Sequence, residues 1–227
     1  MSQISRPQTI LGPLSVHGVL ALTGIAAPVV FAITNLVAAF SAPNYSFIRD
    51  SISSLAWTPL GWVQTIGFLF MGLLVECFTI GLLLNIRGVR EFKVGATIMV
   101  FFGFGALLIG AFHTDPAGGP STLEGTIHRV AAALVFWLFP IACLLIAPTM
   151  KKKPLWKDLF VYTIVANGFA LAFLIARIGL PSDLSWFGLY ERILAFDEFL
   201  WLEIIAIRLL RISLRQVRAS KKPAIAE

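Results

Sequence analysis

Apolar residues along this chain come in long runs separated by short polar connectors. Six runs stand out, at about 17–40, 62–86, 94–113, 127–148, 158–178 and 193–213. A helix needs roughly 20 apolar residues to cross the bilayer core, and each run supplies about that length. Backbone inside hydrocarbon must satisfy its own hydrogen bonds, so a helix is predicted at every run. The connectors leave no room for a separate soluble domain. The predicted fold is all-α, a polytopic bundle of six transmembrane helices forming a single membrane domain over residues 1–227.

Composition sharpens this picture. The chain is 58% hydrophobic and 13% charged, about half the charge of a typical soluble domain. Its 19 Phe and 6 Trp suit a lipid-facing protein. The first run is followed by Ala39-Phe40-Ser41-Ala42, which resembles a cleavage site. It is longer than the roughly 7–15 residues of a secretory apolar region, so it is expected to stay as the first membrane helix. Cys77 and Cys143 fall inside runs and read as small apolar residues. Pro28 and Pro140 interrupt two of the helices and are expected to kink them.

Charge decides the expected orientation. Arg6, Arg87, Arg90, Lys93, Lys151, Lys152, Lys153, Lys157, Arg208, Arg211, Arg215, Arg218, Lys221 and Lys222 fall on one side of the alternating runs. Only Arg49, Arg129, Arg177 and Arg192 fall on the other. The positive-inside rule then puts both termini in the cytoplasm of a multi-pass protein of the cell membrane. The net charge of +6 is mostly this topology signal, with membrane lipids the expected partners of the basic tail. No recognition module precedes the tail, so no nucleic acid is expected.

The opposite face carries the unusual polar residues. Residues 44–62 read NYSFIRDSISSLAWTPLGW, residues 112–129 FHTDPAGGPSTLEGTIHR, and residues 179–193 GLPSDLSWFGLYERI. All three connectors face outward in the predicted topology, whereas the inner connectors are short and basic. His128 begins an apolar run, where a polar group needs a partner or water. With Asp115 it is a candidate acid/base pair, the carboxylate fixing the imidazole tautomer. The same residues also have a plainer reading. Asp115 before Pro116 suits a turn, and Ser121 or Thr122 suits a helix cap with Glu124 or Gly125 in the first turn.

Two further readings of the cluster are weaker. His113, Asp115 and His128 are the residue types of a zinc site, but their spacing matches no known metal motif. Ser51, Ser53 or Ser54 with His128 would make a nucleophile and base, yet neither a G-x-S-x-G nor an S-x-x-K signature is present. Those serines read equally well as starting a small interfacial helix that ends near Trp57. His17 lies a membrane thickness from His128, so the two cannot share a haem. No cofactor is expected.

Inside the runs, Glu76 and Glu203 fall near mid-bilayer, where a carboxylate is costly and turns to the bundle interior. Arg192 shares a stripe with Glu203, while Glu191 and Glu198 share the neighbouring stripe. Arg177 is expected near Asp197 or Glu198. Arg49, Asp50, Ser53, Ser54, Glu191, Arg192, Glu76 and Glu203 are therefore candidate ligand-binding residues.

Ser-Ile-Ser-Ser-Leu at 51–55, Trp62, Phe-His-Thr-Asp-Pro at 112–116, His128 and Gly-Leu-Tyr-Glu-Arg-Ile at 188–193 together resemble a prokaryotic six-helix membrane family. It is catalogued as domain of unknown function 998, and the resemblance runs from about residue 15 to 213. It implies the six-helix fold and lends no established activity. Ser54, Asp115, His128 and Arg192 match the family pattern, which has Pro at the position of His113.

Three functional classes remain open. The favoured one is an outward polar pocket that binds a lipid or small amphiphile, with a larger membrane complex as a possible setting. The second is a membrane-embedded enzyme acting on a lipid or lipid-linked substrate at the outer leaflet, using His128 and Asp115. The third is a small proton- or cation-coupled transporter. Binding is preferred because no complete catalytic constellation can be assembled from these residues.

Overall fold

The computed structural model describes residues 10–11, 14–86, 90–180 and 185–220. Of the basic set, Arg6, Arg87, Lys221 and Lys222 lie outside these residues, as do positions 181–184 of the connector expected to face outward. Six long helices make up the fold: α1 (Val16–Phe40), α2 (Gly61–Asn85), α3 (Arg90–Ala111), α4 (Leu123–Lys151), α5 (Phe160–Ile178) and α6 (Phe187–Ser220). A two-residue antiparallel pairing, Ile10–Leu11 with Leu14–Ser15, precedes α1. Short 3-10 turns lie at Ser53–Trp57 and Lys157–Leu159. The first of these is the small helix expected before Trp57.

Each expected run is a helix. Several helices outlast their apolar part, because a polar turn needs only a cap to continue. Thr122 caps α4, its hydroxyl accepting from Gly125 N at 3.0 Å, as one of the two expected caps. Ser15 caps α1 in the same way, accepting from Gly18 N. Pro28 and Pro140 lie inside α1 and α4, and Pro148 is a third proline, also within α4.

Five helices are long and apolar enough to cross a membrane, and α6 is not among them. Glu191, Arg192, Asp197, Glu198, Glu203, Arg208 and Arg211 make it too polar. Its neighbours hold it alongside the apolar helices instead. Ser213 Oγ lies 2.6 Å from Ser15 Oγ at one end of α1, and Arg192 binds Tyr45 just beyond the other. The 21 residues between Arg192 and Ser213 rise about 32 Å, the thickness of the hydrocarbon core.

Each helix packs against its neighbours in sequence, and α6 returns to α1, so the six form a closed ring. Such antiparallel neighbours follow from short connectors. Small residues bring the backbones close, since lipid offers no hydrophobic drive for helices to associate. A Cβ on Gly72 of α2 would stand 2.6 Å from the Gly103 carbonyl oxygen of α3. Aromatic side chains fill the centre. Phe139 meets Phe102 and Trp201 edge-to-face, with ring centres 4.9 and 5.5 Å apart. Trp201 is fully buried, and its indole N–H donates to Thr163 Oγ1 at 3.1 Å, tying α6 to α5.

Candidate functional site

One end of the ring carries the connectors 41–60 and 112–122 with residues 179–180 and 185–186. There a cleft opens between α4, α5 and α6, with an empty volume of about 1070 Å³ including its mouth. Its polar lining includes Ser51, Asp115, His128, Arg129, Arg177 and Tyr190. A tighter chamber, with a cavity volume of about 60 Å³, lies deeper among α1, α2, α3, α4 and α6. Phe31, Phe68, Phe102, Phe136 and Phe199 form much of its wall. Ser53, Ala132, Phe136 and Glu191 line both spaces and form the threshold between them.

The polar groups around these spaces fall into two sets. The first is committed to holding backbone. Arg192 Nη1 donates to the carbonyls of Phe47, Asp50 and Gly188 at 3.0, 3.1 and 2.9 Å, and its Nη2 donates to Tyr45 Oη. The guanidinium also lies 5.5 Å from the Tyr45 ring centre and 5.0 Å from that of Phe47. Glu191 accepts from Ile52 N at 2.7 Å. Together they fasten the 44–52 segment over the start of α6.

The second set has polar atoms without protein partners. His128 is 4% exposed, and its Nδ1 donates to the Phe112 carbonyl at 2.7 Å. A carbonyl only accepts, so Nδ1 carries the proton and a neutral ring leaves Nε2 as an acceptor. Among the described residues, buried His128 Nε2, Tyr190 Oη and Glu198 Oε1 meet no partner. All three residues line the cleft or the chamber.

A family model described as "Protein of unknown function (DUF998)" matches residues 25–208. The chain belongs to this family. The matched stretch contains every residue that lines the cleft or the chamber. No curated protein and no solved structure matches the chain.

The residues expected to serve the site fare differently. The acid/base pair does not form as a hydrogen bond. Asp115 Oδ1 accepts from Thr122 N at 3.2 Å and Thr122 Oγ1 at 2.7 Å, bracing the α4 cap. The Phe112 carbonyl, not a carboxylate, orients His128. Asp115 Oδ2 also crowds Gly125, where a Cβ would come within 2.1 Å of it. Asp115→Ala is therefore expected to cost about 1 kcal/mol, a capping-scale loss, and to lower the melting temperature by about 2–4 °C. Ligand affinity should stay unchanged in the folded fraction, as a thermal shift paired with a binding titration would read.

The metal grouping is not assembled either. Among the described residues no three His, Cys, Asp or Glu side chains gather as a metal site. His113 turns instead to Glu124, its backbone N–H donating to Oε1 at 2.7 Å with ring Nδ1 3.0 Å from the same atom, and to Thr65 Oγ1 at 3.2 Å. Of the candidate nucleophiles, Ser54 Oγ donates to the Ser51 carbonyl at 2.7 Å, while Ser51 and Ser53 line the cleft with His128.

Arg49 and Asp50 pair with each other at 2.7 Å away from both cavities. The Arg49 guanidinium holds the Asp50 carboxyl below the usual carboxylate range. Glu76 packs against Gly103 in the α2–α3 seam, and neither it nor Glu203 lines the cavities. Arg177 lines the cleft, donates to the Leu180 carbonyl at 3.1 Å and stacks on Phe187.

Of the candidates, His128, Asp115, Ser53 and Glu191 reach the cavity walls. Sequence reasoning placed Glu198 in a structural pairing and missed Tyr190 and the Phe lining. The signal for Glu198 was present. Glu191, Ala195, Glu198 and Phe199 follow the spacing of one helix face, and all four line the chamber.

Proposed function

We propose that this protein binds a lipid or small amphiphile entering from the outer leaflet, with both termini in the cytoplasm of the cell membrane. One observation carries the reading: a cleft that mixes polar groups with apolar side chains shares part of its lining with a Phe-lined chamber. An amphiphile places its head and chain in two such joined environments, and pockets of this kind use a few polar groups to set orientation. The basic residues at the opposite end of the ring support the outward direction of the cleft. Neither acid/base chemistry nor proton coupling gains a comparable observation, because Asp115 serves a cap and Glu76 and Glu203 lie off the cavities.

Full-length protein in lipid nanodiscs, titrated calorimetrically with 1-octanol, tests the reading. Saturable binding at about one molecule per protein is expected. An absence of saturable heat would sink it. A reporter at residue 118 should be active only outside the cytoplasm, and the reverse result would remove the outward cleft.

A further inference from the structure

The chamber combines aromatic rings with carboxyl side chains. Phe31 meets Phe68 and Phe199 edge-to-face, with ring centres 5.0 and 5.3 Å apart. Two carboxylates, Glu191 and Glu198, join these rings in the wall. They are seven residues apart on one face of α6, so Glu198 lies about 10 Å below the threshold.

Their environments differ. Glu191 accepts a backbone N–H and is next to Arg192. Glu198 is 3% exposed, and its Oε1 meets no donor among the described residues. The charge acting on it is that of Asp197, which has the same sign. Arg192 Nη1 and Nη2 donate to three carbonyls and Tyr45, while its buried Nε meets no partner among the described residues. A buried carboxyl with no partner is costly to ionise, so a cation supplied by a ligand would stabilise its charged form. Ammonium groups also bind well against aromatic rings, whose electron-rich faces attract positive charge.

The cleft adds an acceptor, with Arg129 and Arg177 also in its lining. His128 Nε2 is a buried acceptor without a partner among the described residues, because Nδ1 is spent on the Phe112 carbonyl. An anionic carboxylate head would set acceptor against acceptor there. An ammonium N–H or a hydroxyl would not.

We infer that the chamber selects a lipophilic ammonium cation, with Glu198 as its counter-ion and the Phe31, Phe68 and Phe199 rings around the charged head. This rests on the cavity being a binding site and adds the class of ligand it takes. The head passes the Ala132 threshold, and the alkyl chain trails toward the cleft.

Octyltrimethylammonium and 1-octanol, titrated into the full-length protein in nanodiscs, separate charge from chain. Wild type should bind the cation about tenfold or more tightly than the alcohol. Glu198→Gln should remove most of that preference, weakening the cation by about tenfold and leaving the alcohol within about twofold. Glu198→Asp keeps the charge and should retain a preference for the cation, which guards against a folding defect in the amide variant. Glu203→Gln, on the same helix but off both cavities, should change neither. If 1-octanol binds and the cation binds no tighter, this inference fails while the binding site stands. An unchanged cation affinity in Glu198→Gln has the same meaning. If neither probe binds, the site itself falls and the inference with it.

Discussion

Arg192→Lys is expected to loosen the outer layer of this protein more than any other conservative change. The guanidinium donates to three backbone carbonyls and the Tyr45 hydroxyl at once, and it stacks on two rings. Lysine offers a point charge that cannot fork across the same acceptors. Hydrogen bonds to charged groups are worth about 1.5–3 kcal/mol each. Losing the equivalent of one or two should cost about 3 kcal/mol, or roughly 6–12 °C in melting temperature for a chain of this size. Proteolysis within residues 44–52 should speed up in parallel, since those carbonyls anchor the segment to α6. A melting temperature within about 2 °C of wild type would show that the clamp adds little.

Ala132→Phe is expected to abolish amphiphile binding without unfolding the protein. Ala132 lines both the cleft and the chamber, in company with Phe136, Ser53 and Glu191. A ring there fills the threshold, and its apolar surface is welcome beside Phe136. Affinity for 1-octanol should fall at least about tenfold, which is about 1.4 kcal/mol. Ala133→Phe is the matched control. That residue is exposed and lines the cleft but not the chamber, so its effect should stay within about threefold. Equal affinity in wild type and Ala132→Phe would mean that ligand never passes the threshold.

His128 shows where local sequence stops being informative. Its position at the start of an apolar run marked it as a group in need of a partner, and it does line the cleft. The partner is the Phe112 carbonyl, which becomes available where α3 ends and no later N–H claims it. Carbonyls at helix ends have no sequence signature. A neighbouring aspartate does have one, which is why Asp115 looked like the natural choice. Arg192 followed the same pattern: its charge at the head of α6 was visible, but its three acceptors are backbone atoms, two of them more than 140 residues away.

The carboxylates divide in the same way. Depth in the bilayer was legible for Glu76 and Glu203 by counting from the run ends. Which side of the helix faced a cavity was not, because a helix in lipid is apolar nearly all round and its stripe gives little direction. Glu76 turned into the α2–α3 seam, while Glu198 turned into the chamber.

Helix number, helix position and the asymmetry between basic and polar ends were thus determined by sequence alone, because hydrocarbon thickness and backbone hydrogen bonding leave a long apolar run only one conformation. The seating of charged α6, the closure of the ring and the shared lining of cleft and chamber were decided only by tertiary structure. These depend on which faces meet, and in this chain the meeting faces are set by small residues and backbone carbonyls that hydropathy does not register.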